Sequence, residues 1–142
     1  MLPFRLLKGS RGRVFAEGGI MPYGKSILFV DDEEEILELL TELFAEDGYD
    51  LYTAREAEEA IKIVDRNSVD FVLSDLKLPD ASGLELLEMV RQRNPRTVRV
   101  LTSGYLDVKF GSVKENSVDG TLYLSKPWDL FVLKQLVSER LG

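Results

Sequence analysis

The sequence predicts an α/β protein with a doubly wound parallel sheet and helices on both faces of that sheet. Short apolar runs alternate with amphipathic segments, and the alternation repeats five times between residues 26 and 142. A content of 44% hydrophobic and 30% charged residues is typical of a globular domain. Repeated strand–helix units favour a parallel sheet because right-handed crossovers place a helix over the sheet each time.

The first half of this pattern contains two strand–helix pairs. The run 27–30 is continuously apolar, as expected for a parallel strand buried on both faces. Apolar residues then recur at helical spacing over 36–44, which predicts a helix. The strand predicted over 49–54 is weaker because Asp50 interrupts it, and an apolar stripe over 57–64 predicts the second helix.

The second half contains three more pairs. A helix is predicted over 84–90, ending before Pro95, and the last helix over 130–141. Only a weak helix is predicted around 107–115, where polar residues and glycine dilute the apolar stripe. Short apolar runs predict the remaining strands, over 71–73, 98–102 and 121–124.

Residues 1–25 differ in composition from the rest of the chain. They contain five glycines, show no sustained periodicity and carry a net charge of about +4, against about −11 for residues 26–142. We expect a flexible basic arm over 1–25, followed by one domain over 26–142. An over-extended start, with Met21 as the initiator, and residues added for expression are alternative interpretations. The acidic domain is not expected to bind nucleic acid directly.

Composition also excludes several kinds of chemistry. The chain has no cysteine and no histidine, which excludes disulfides, thiolate or imidazole metal ligands and histidine general bases. No apolar run approaches the ~20 residues that span a bilayer, and the basic start lacks the apolar segment of a secretory signal. A cytoplasmic protein with no membrane partner is therefore expected.

Polar residues follow the predicted strands at one edge of the sheet. Asp31 and Asp32 follow the first strand, Asp75 the third, Ser103 the fourth and Lys126 the fifth. Taken singly, each has an ordinary explanation as a helix cap, a turn residue or a surface charge. Together they favour a Mg²⁺ site, because clustered carboxylates repel one another and hard oxygen ligands suit this ion. A lysine and a hydroxyl beside such a site favour a phosphoryl group as its ligand.

Four motifs carry a resemblance to a known family. Over residues 26–142 the chain resembles the receiver domain of bacterial response regulators, in the motifs FVDD (29–32), LSDLKLPDASG (73–83), LTSG (101–104) and LSKP (124–127). The resemblance implies a five-stranded flavodoxin-like fold with strand order 2-1-3-4-5. It also implies that a partner histidine kinase or phosphotransfer protein supplies a phosphoryl group, which agrees with the absence of histidine here.

The resemblance assigns a role to each acidic residue at the sheet edge. Asp75 is the implied phosphoacceptor. Asp32 and Asp75 are the implied direct ligands of Mg²⁺, with Asp31 acting mainly through water and the backbone carbonyl of Lys77 completing the set.

The remaining site residues follow from the same resemblance. Ser103 is expected to hydrogen-bond a phosphoryl oxygen and Lys126 to pair with its charge, although Thr102 is a rival for the hydroxyl. Tyr123 matches the aromatic switch of the family, and an aromatic ring packed on the sheet edge is an equally good interpretation. The Lys126–Pro127 bond is implied to be cis. Ala81 departs from the family pattern, in which a larger apolar residue is usual.

These roles describe a phosphorylated switch rather than an enzyme. Phosphorylation is expected to change the surface of the fourth helix, fifth strand and fifth helix, which would contact an output partner or form a homodimer.

The chain ends after the last helix, so either a single-domain regulator or a receiver from a longer protein is expected. An aspartyl-phosphate phosphatase of the haloacid dehalogenase type is the alternative, disfavoured because Lys77 replaces the acid/base aspartate of those enzymes. A degenerate receiver serving only as a scaffold is disfavoured because every site position is present.

Overall fold

The computed structural model describes residues 24–142 together with two dipeptides nearer the start of the chain. These dipeptides, β1 (Phe15–Ala16) and β2 (Gly19–Ile20), pair antiparallel in a small sheet of their own. Most of the arm predicted over 1–25 lies outside the described residues. The arm and its boundary at residue 26 therefore stay predictions.

The main sheet contains six strands in the spatial order β4-β3-β5-β6-β8-β7. The strands are β3 (Ser26–Val30), β4 (Asp50–Ala54), β5 (Phe71–Asp75), β6 (Val98–Ser103), β7 (Val113–Glu115) and β8 (Leu122–Ser125). The first five in this spatial order are parallel to one another, whereas β7 pairs antiparallel with β8 at the edge. The predicted parallel sheet with strand order 2-1-3-4-5 is thus confirmed, with one additional edge strand.

Four helices cover the two faces of this sheet. They are α1 (Glu34–Phe44), α2 (Ala57–Arg66), α3 (Gly83–Arg93) and α4 (Leu130–Leu141). Successive residues of β3 point to opposite faces: Ile27 and Phe29 pack with α1 and α4, whereas Leu28 and Val30 pack with α2 and α3. Burial on both faces explains why this strand is apolar throughout. No helix among the described residues is long and apolar enough to cross a membrane.

The helix predicted over 107–115 is wrong. Residues 104–112 form turns and bends, Gly111 has a φ of +78°, and 113–115 form β7. A glycine in the left-handed conformation does not fit the backbone of an α-helix. Pairing of Val113 with Leu124 satisfies the backbone in sheet form instead. The surface predicted to change on phosphorylation therefore consists of the 104–115 segment, β8 and α4, without a helix preceding β8.

The start of α3 is fixed against the end of β5. Ser82 caps the helix by accepting a hydrogen bond from Leu84 N, and Glu85 completes a capping box. Gly83 N donates to the carbonyl of Leu76, and a Cβ at Gly83 would lie only 2.1 Å from the carbonyl oxygen of Asp75. The absence of a side chain at Gly83 thus allows the helix to approach the strand that carries Asp75.

Candidate functional site

Three aspartates meet at the carboxyl end of the sheet, as the sequence predicts. Asp31 and Asp32 follow β3, Asp75 is the last residue of β5, and these two strands are neighbours in the sheet. One carboxylate oxygen from each residue lies within 4.8 Å of the other two. The Asp31 side chain is only 3% exposed and that of Asp75 17%, whereas Asp32 is exposed. The cluster therefore opens to solvent on one side.

Lys126, the residue directly after β8, brings a positive charge to this cluster. Its Nζ lies 2.8 Å from Oδ2 of Asp31 and 3.5 Å from Oδ1 of Asp75. The backbone N of Lys126 donates to the carbonyl of Ser103 at 2.9 Å, which fixes the lysine relative to the end of β6. The Lys126–Pro127 peptide bond is cis, as the resemblance implies.

The pKa of the Asp75 carboxyl is raised in this site, mainly by burial. Burial raises the pKa of the Asp75 carboxyl above its ordinary value, Lys126 opposes the rise, and the charge of Asp31 adds to it. Burial alone would lower the pKa of the Lys126 ammonium. The hydrogen bond and charge of Asp31, together with the charge of Asp75, instead raise it.

The two hydroxyls at the end of β6 have different surroundings. Thr102 is buried, and its Oγ1 accepts a hydrogen bond from Nε1 of Trp128 at 2.7 Å. Ser103 Oγ accepts from the backbone N of Tyr105 at 3.0 Å, which leaves its own hydrogen for another partner. Thr102 Oγ1 is likewise an acceptor and keeps its own hydrogen, so the choice of Ser103 over Thr102 as the donor to a bound group stays a prediction.

Tyr123 and Lys77 lie near the site without entering the acidic cluster. Tyr123 is half-buried on β8, where it packs against the cluster of apolar residues under α2 and α3. Lys77 is exposed in the loop after β5, and its Nζ lies 5.7 Å from the ring centre of Tyr105. The switch role of Tyr123 and the metal-ligand role of the Lys77 carbonyl stay predictions.

Two contacts around the site escape prediction from the sequence. The carboxylate of Asp80 accepts hydrogen bonds from Ala57 N and Glu58 N, and so caps α2 from a distant loop. The indole of Trp128 bonds Thr102, which lies 26 residues earlier in the chain. The one available signal was that Trp128, the single tryptophan of the chain, follows Lys126–Pro127 directly.

The donor set at the cluster fits a hard divalent cation. All three side chains offer oxygen, one of them from an exposed position, and this matches the preference of Mg²⁺ for carboxylates together with water. The raised pKa of Asp75 is a second indication, because a cation would relieve the cost of its ionisation. The site therefore suits a Mg²⁺ ion beside a phosphoryl group.

Comparison with known proteins agrees with this geometry. The family model described as the response regulator receiver domain matches residues 27–138. The response regulator protein PilR of Pseudomonas aeruginosa is 39% identical over 116 residues, which cover 80% of this chain but 25% of PilR. The sporulation initiation phosphotransferase F of Bacillus subtilis is 32% identical over 120 residues, which cover 82% of this chain and 94% of that protein.

Solved structures show the same likeness. The signal receiver domain of an HD domain-containing protein from Pseudomonas fluorescens superposes with a TM-score of 0.71 at 31% identity, covering 85% of this chain and 89% of that one. A CheY-like receiver domain from Methanospirillum hungatei gives a TM-score of 0.71 at 30% identity, with 83% and 94% covered. Nothing in the comparisons supports the phosphatase alternative. The chain belongs to the response regulator receiver domain family and is a receiver of two-component phosphorelay signalling.

Proposed function

We propose that Asp75 is the phosphoacceptor of this receiver and that Ser103 and Lys126 assist the transfer. The observation that carries this proposal is the position of Asp75 at the end of the central strand β5. Asp31 and Asp32 lie within 4.8 Å of it and the Lys126 ammonium at 3.5 Å. Because the carboxylate is partly exposed, a phosphoryl donor can approach it from solvent.

Phosphoryl transfer to Asp75 forms one bond to phosphorus and breaks another. A carboxylate oxygen of Asp75 attacks phosphorus, and the bond between phosphorus and the imidazole nitrogen of a partner phosphohistidine breaks. Lys126 exchanges part of its contact with Asp31 for a phosphoryl oxygen, and the Ser103 hydroxyl donates a hydrogen bond to another. Asp32, Asp75 and the Lys77 carbonyl, with Asp31 mainly through water, would hold a Mg²⁺ ion, which would supply positive charge to neutralise the phosphoryl oxygens.

A labelling experiment tests the acceptor. Wild-type protein, Asp75→Asn and the control Asp107→Asn are incubated with acetyl phosphate and Mg²⁺, and the modified peptide is identified by mass spectrometry. Asp107 is exposed, so the control makes the same chemical change away from the cluster. Labelling of wild type and Asp107→Asn but not of Asp75→Asn is expected. Full labelling of Asp75→Asn would refute the assignment.

The metal ligands are tested by titration. Asp32→Asn should weaken Mg²⁺ binding by about tenfold or more, since a charged ligand becomes neutral at a site with few protein ligands. Glu33→Gln is the matched control, because Glu33 is an exposed acidic neighbour outside the cluster. Equal Mg²⁺ affinity in Asp32→Asn and wild type would exclude Asp32 as a ligand.

We further propose that phosphorylation changes the surface formed by the 104–115 segment, β8 and α4. The segment is a good switch element because its residues are mostly exposed and it contains no helix. In the proposed movement the Ser103 hydroxyl turns toward the phosphoryl group, and Tyr123 moves into the vacated space. A cytoplasmic location, a histidine kinase as donor and a homodimer through this surface remain predictions.

Amide hydrogen exchange tests the switch. Beryllofluoride with Mg²⁺, which mimics the aspartyl-phosphate, should change protection in 104–116 and around Tyr123 more than in α1 and α2. Equal changes across the chain, or no change near Tyr123, would rule out this movement.

A further inference from the structure

The loop that carries Lys126 is attached to the acceptor strand through one indole. Trp128 Nε1 donates to Thr102 Oγ1 at 2.7 Å, and the carbonyl of the same threonine accepts from the backbone N of Leu76 at 3.0 Å. Leu76 directly follows Asp75. Two hydrogen bonds through a single buried residue thus connect the loop after β8 to the end of β5.

The same indole also contacts the lysine itself. Lys126 Nζ lies 5.6 Å from the centre of the Trp128 ring, within the range of an attractive cation–π contact. The ring packs against the apolar cluster under α1 and α4, which restricts its movement. The ammonium is therefore bounded by the indole and by the carboxylates of Asp31 and Asp75.

We infer that Trp128 is a positioning residue for Lys126, which it orients through its ring and through its hydrogen bond to Thr102. The inference deepens the proposed function and rests on it, because Lys126 is the group that meets the phosphoryl oxygens. A phenyl ring at this position would fill most of the same space. It would leave the hydroxyl of Thr102 unpaired and the loop free to shift relative to β5.

To meet a phosphoryl group on Asp75, the ammonium of Lys126 has only a short distance to move. Its Nζ is now closer to Asp31 than to Asp75, at 2.8 Å against 3.5 Å, so the ammonium needs to turn rather than travel. A loop attached to β6 at two points, by Lys126 N to Ser103 O and by Trp128 to Thr102, keeps that movement short. Misplacement of a catalytic group by about 1 Å can cost a large part of its effect on rate.

The first experiment removes the hydrogen bond between Trp128 and Thr102 by changing one partner or the other. Trp128→Phe keeps an aromatic ring and Thr102→Val keeps the shape of the threonine, but both variants lack the bond. Thr97→Val is the matched control, because Thr97 is another buried threonine on the approach to β6, and its hydroxyl bonds the carbonyl of Val69 far from the cluster. Thr102→Ser restores the hydroxyl and serves as the conservative rescue.

The expected result is a loss of rate that does not follow stability. Trp128→Phe and Thr102→Val should each slow phosphorylation by acetyl phosphate at saturating Mg²⁺ by about three- to tenfold, the worth of one hydrogen bond. The double variant should be no slower than either single one, since both changes remove the same bond. Thr97→Val should keep the wild-type rate even where it loses thermal stability, and Thr102→Ser should keep it as well. Wild-type rates in Trp128→Phe and Thr102→Val, or additive losses in the double variant, would overturn the inference.

A second measurement does not depend on phosphorylation. The side-chain ammonium of Lys126, followed by ¹⁵N NMR, should lose order in Trp128→Phe and Thr102→Val but not in Thr97→Val. An unchanged Lys126 signal in the first two variants would overturn the inference. If acetyl phosphate does not phosphorylate the wild-type protein, the assignment of Asp75 as phosphoacceptor fails. The order of the Lys126 ammonium in the variants then still decides whether Trp128 positions it. If Thr102→Val does not fold, Trp128→Phe alone decides it.

Discussion

Replacing the proposed phosphoacceptor by its amide should stabilise the metal-free protein, although Asp75→Asn removes one partner of an ion pair. Asp75 lies beside Asp31 and Asp32, and its side chain is only 17% exposed. Asparagine has nearly the same shape and no charge. Lys126 keeps its closer partner, Asp31, at 2.8 Å in the variant, so no buried charge is left alone.

The size of the expected stabilisation follows from the distances between the charged groups of the cluster. At an effective dielectric constant of about 20, two carboxylate charges at most 4.8 Å apart repel by about 3.5 kcal/mol or more, and an ammonium 3.5 Å from Asp75 attracts it by about 4.7 kcal/mol. Repulsion from Asp31, with a weaker contribution from exposed Asp32, therefore cancels the attraction of Lys126 to within about 1 kcal/mol. The loss of hydration remains and costs about 1–2 kcal/mol for a partly buried carboxylate. The variant should gain that amount, or about 3–10 °C in Tm.

The stability difference between Asp75→Asn and wild type should also change with pH in a direction that can be checked. The pKa of Asp75 is raised in the folded protein, so the folded state holds this proton more tightly than the unfolded state does. Ionisation of Asp75 therefore reduces stability as the pH rises from the ordinary value of 3.8 through the raised value, and the loss persists at neutral pH. The advantage of Asp75→Asn should be full at neutral pH and should shrink as the pH falls toward 3.8.

The assay is thermal denaturation with a chelator and then with Mg²⁺, with Asp107→Asn as the control for an exposed aspartate. Mg²⁺ should stabilise wild type more than Asp75→Asn, because the variant lacks one of the proposed charged ligands. A lower Tm for Asp75→Asn than for wild type in the chelator would refute the electrostatic reasoning.

Three further changes test other contacts. Lys126→Met should cost about 2–4 kcal/mol without metal, since Asp31 is left buried with its charge, and Mg²⁺ should restore part of this loss in urea denaturation; a neutral effect would mean that the carboxylate finds another partner. Gly83→Ala should cost about 3 kcal/mol or more, because its Cβ would lie 2.1 Å from the Asp75 carbonyl oxygen, and a wild-type Tm would show that α3 can shift freely. Ser82→Ala should cost about 1 kcal/mol through loss of the α3 cap, measured in the same way, whereas no loss would mean that water replaces the cap.

The sequence alone was enough to predict the five parallel strands, the four helices that pack on them and the polar residues at the sheet edge. Continuous apolar runs can be recognised without a structure because parallel strands are buried on both faces, and helical spacing identified all four observed helices. The carboxyl ends of parallel strands meet at one edge, so Asp31 and Lys126 could be placed together although they are 95 residues apart. The geometry bears out this juxtaposition, whereas the roles of these residues await the experiments above.

Only the tertiary structure decided the conformation of 104–115 and the partners of the residues around the lysine. A local pattern predicts a helix poorly where polar residues dilute the apolar stripe, and here pairing of Val113 with Leu124 gave β7 instead. The hydroxyl of Thr102 accepts a hydrogen bond from an indole 26 residues further along the chain. Such contacts join side chains that are distant in sequence and have no periodicity of their own. They become visible only when the packed sheet brings them within hydrogen-bonding distance.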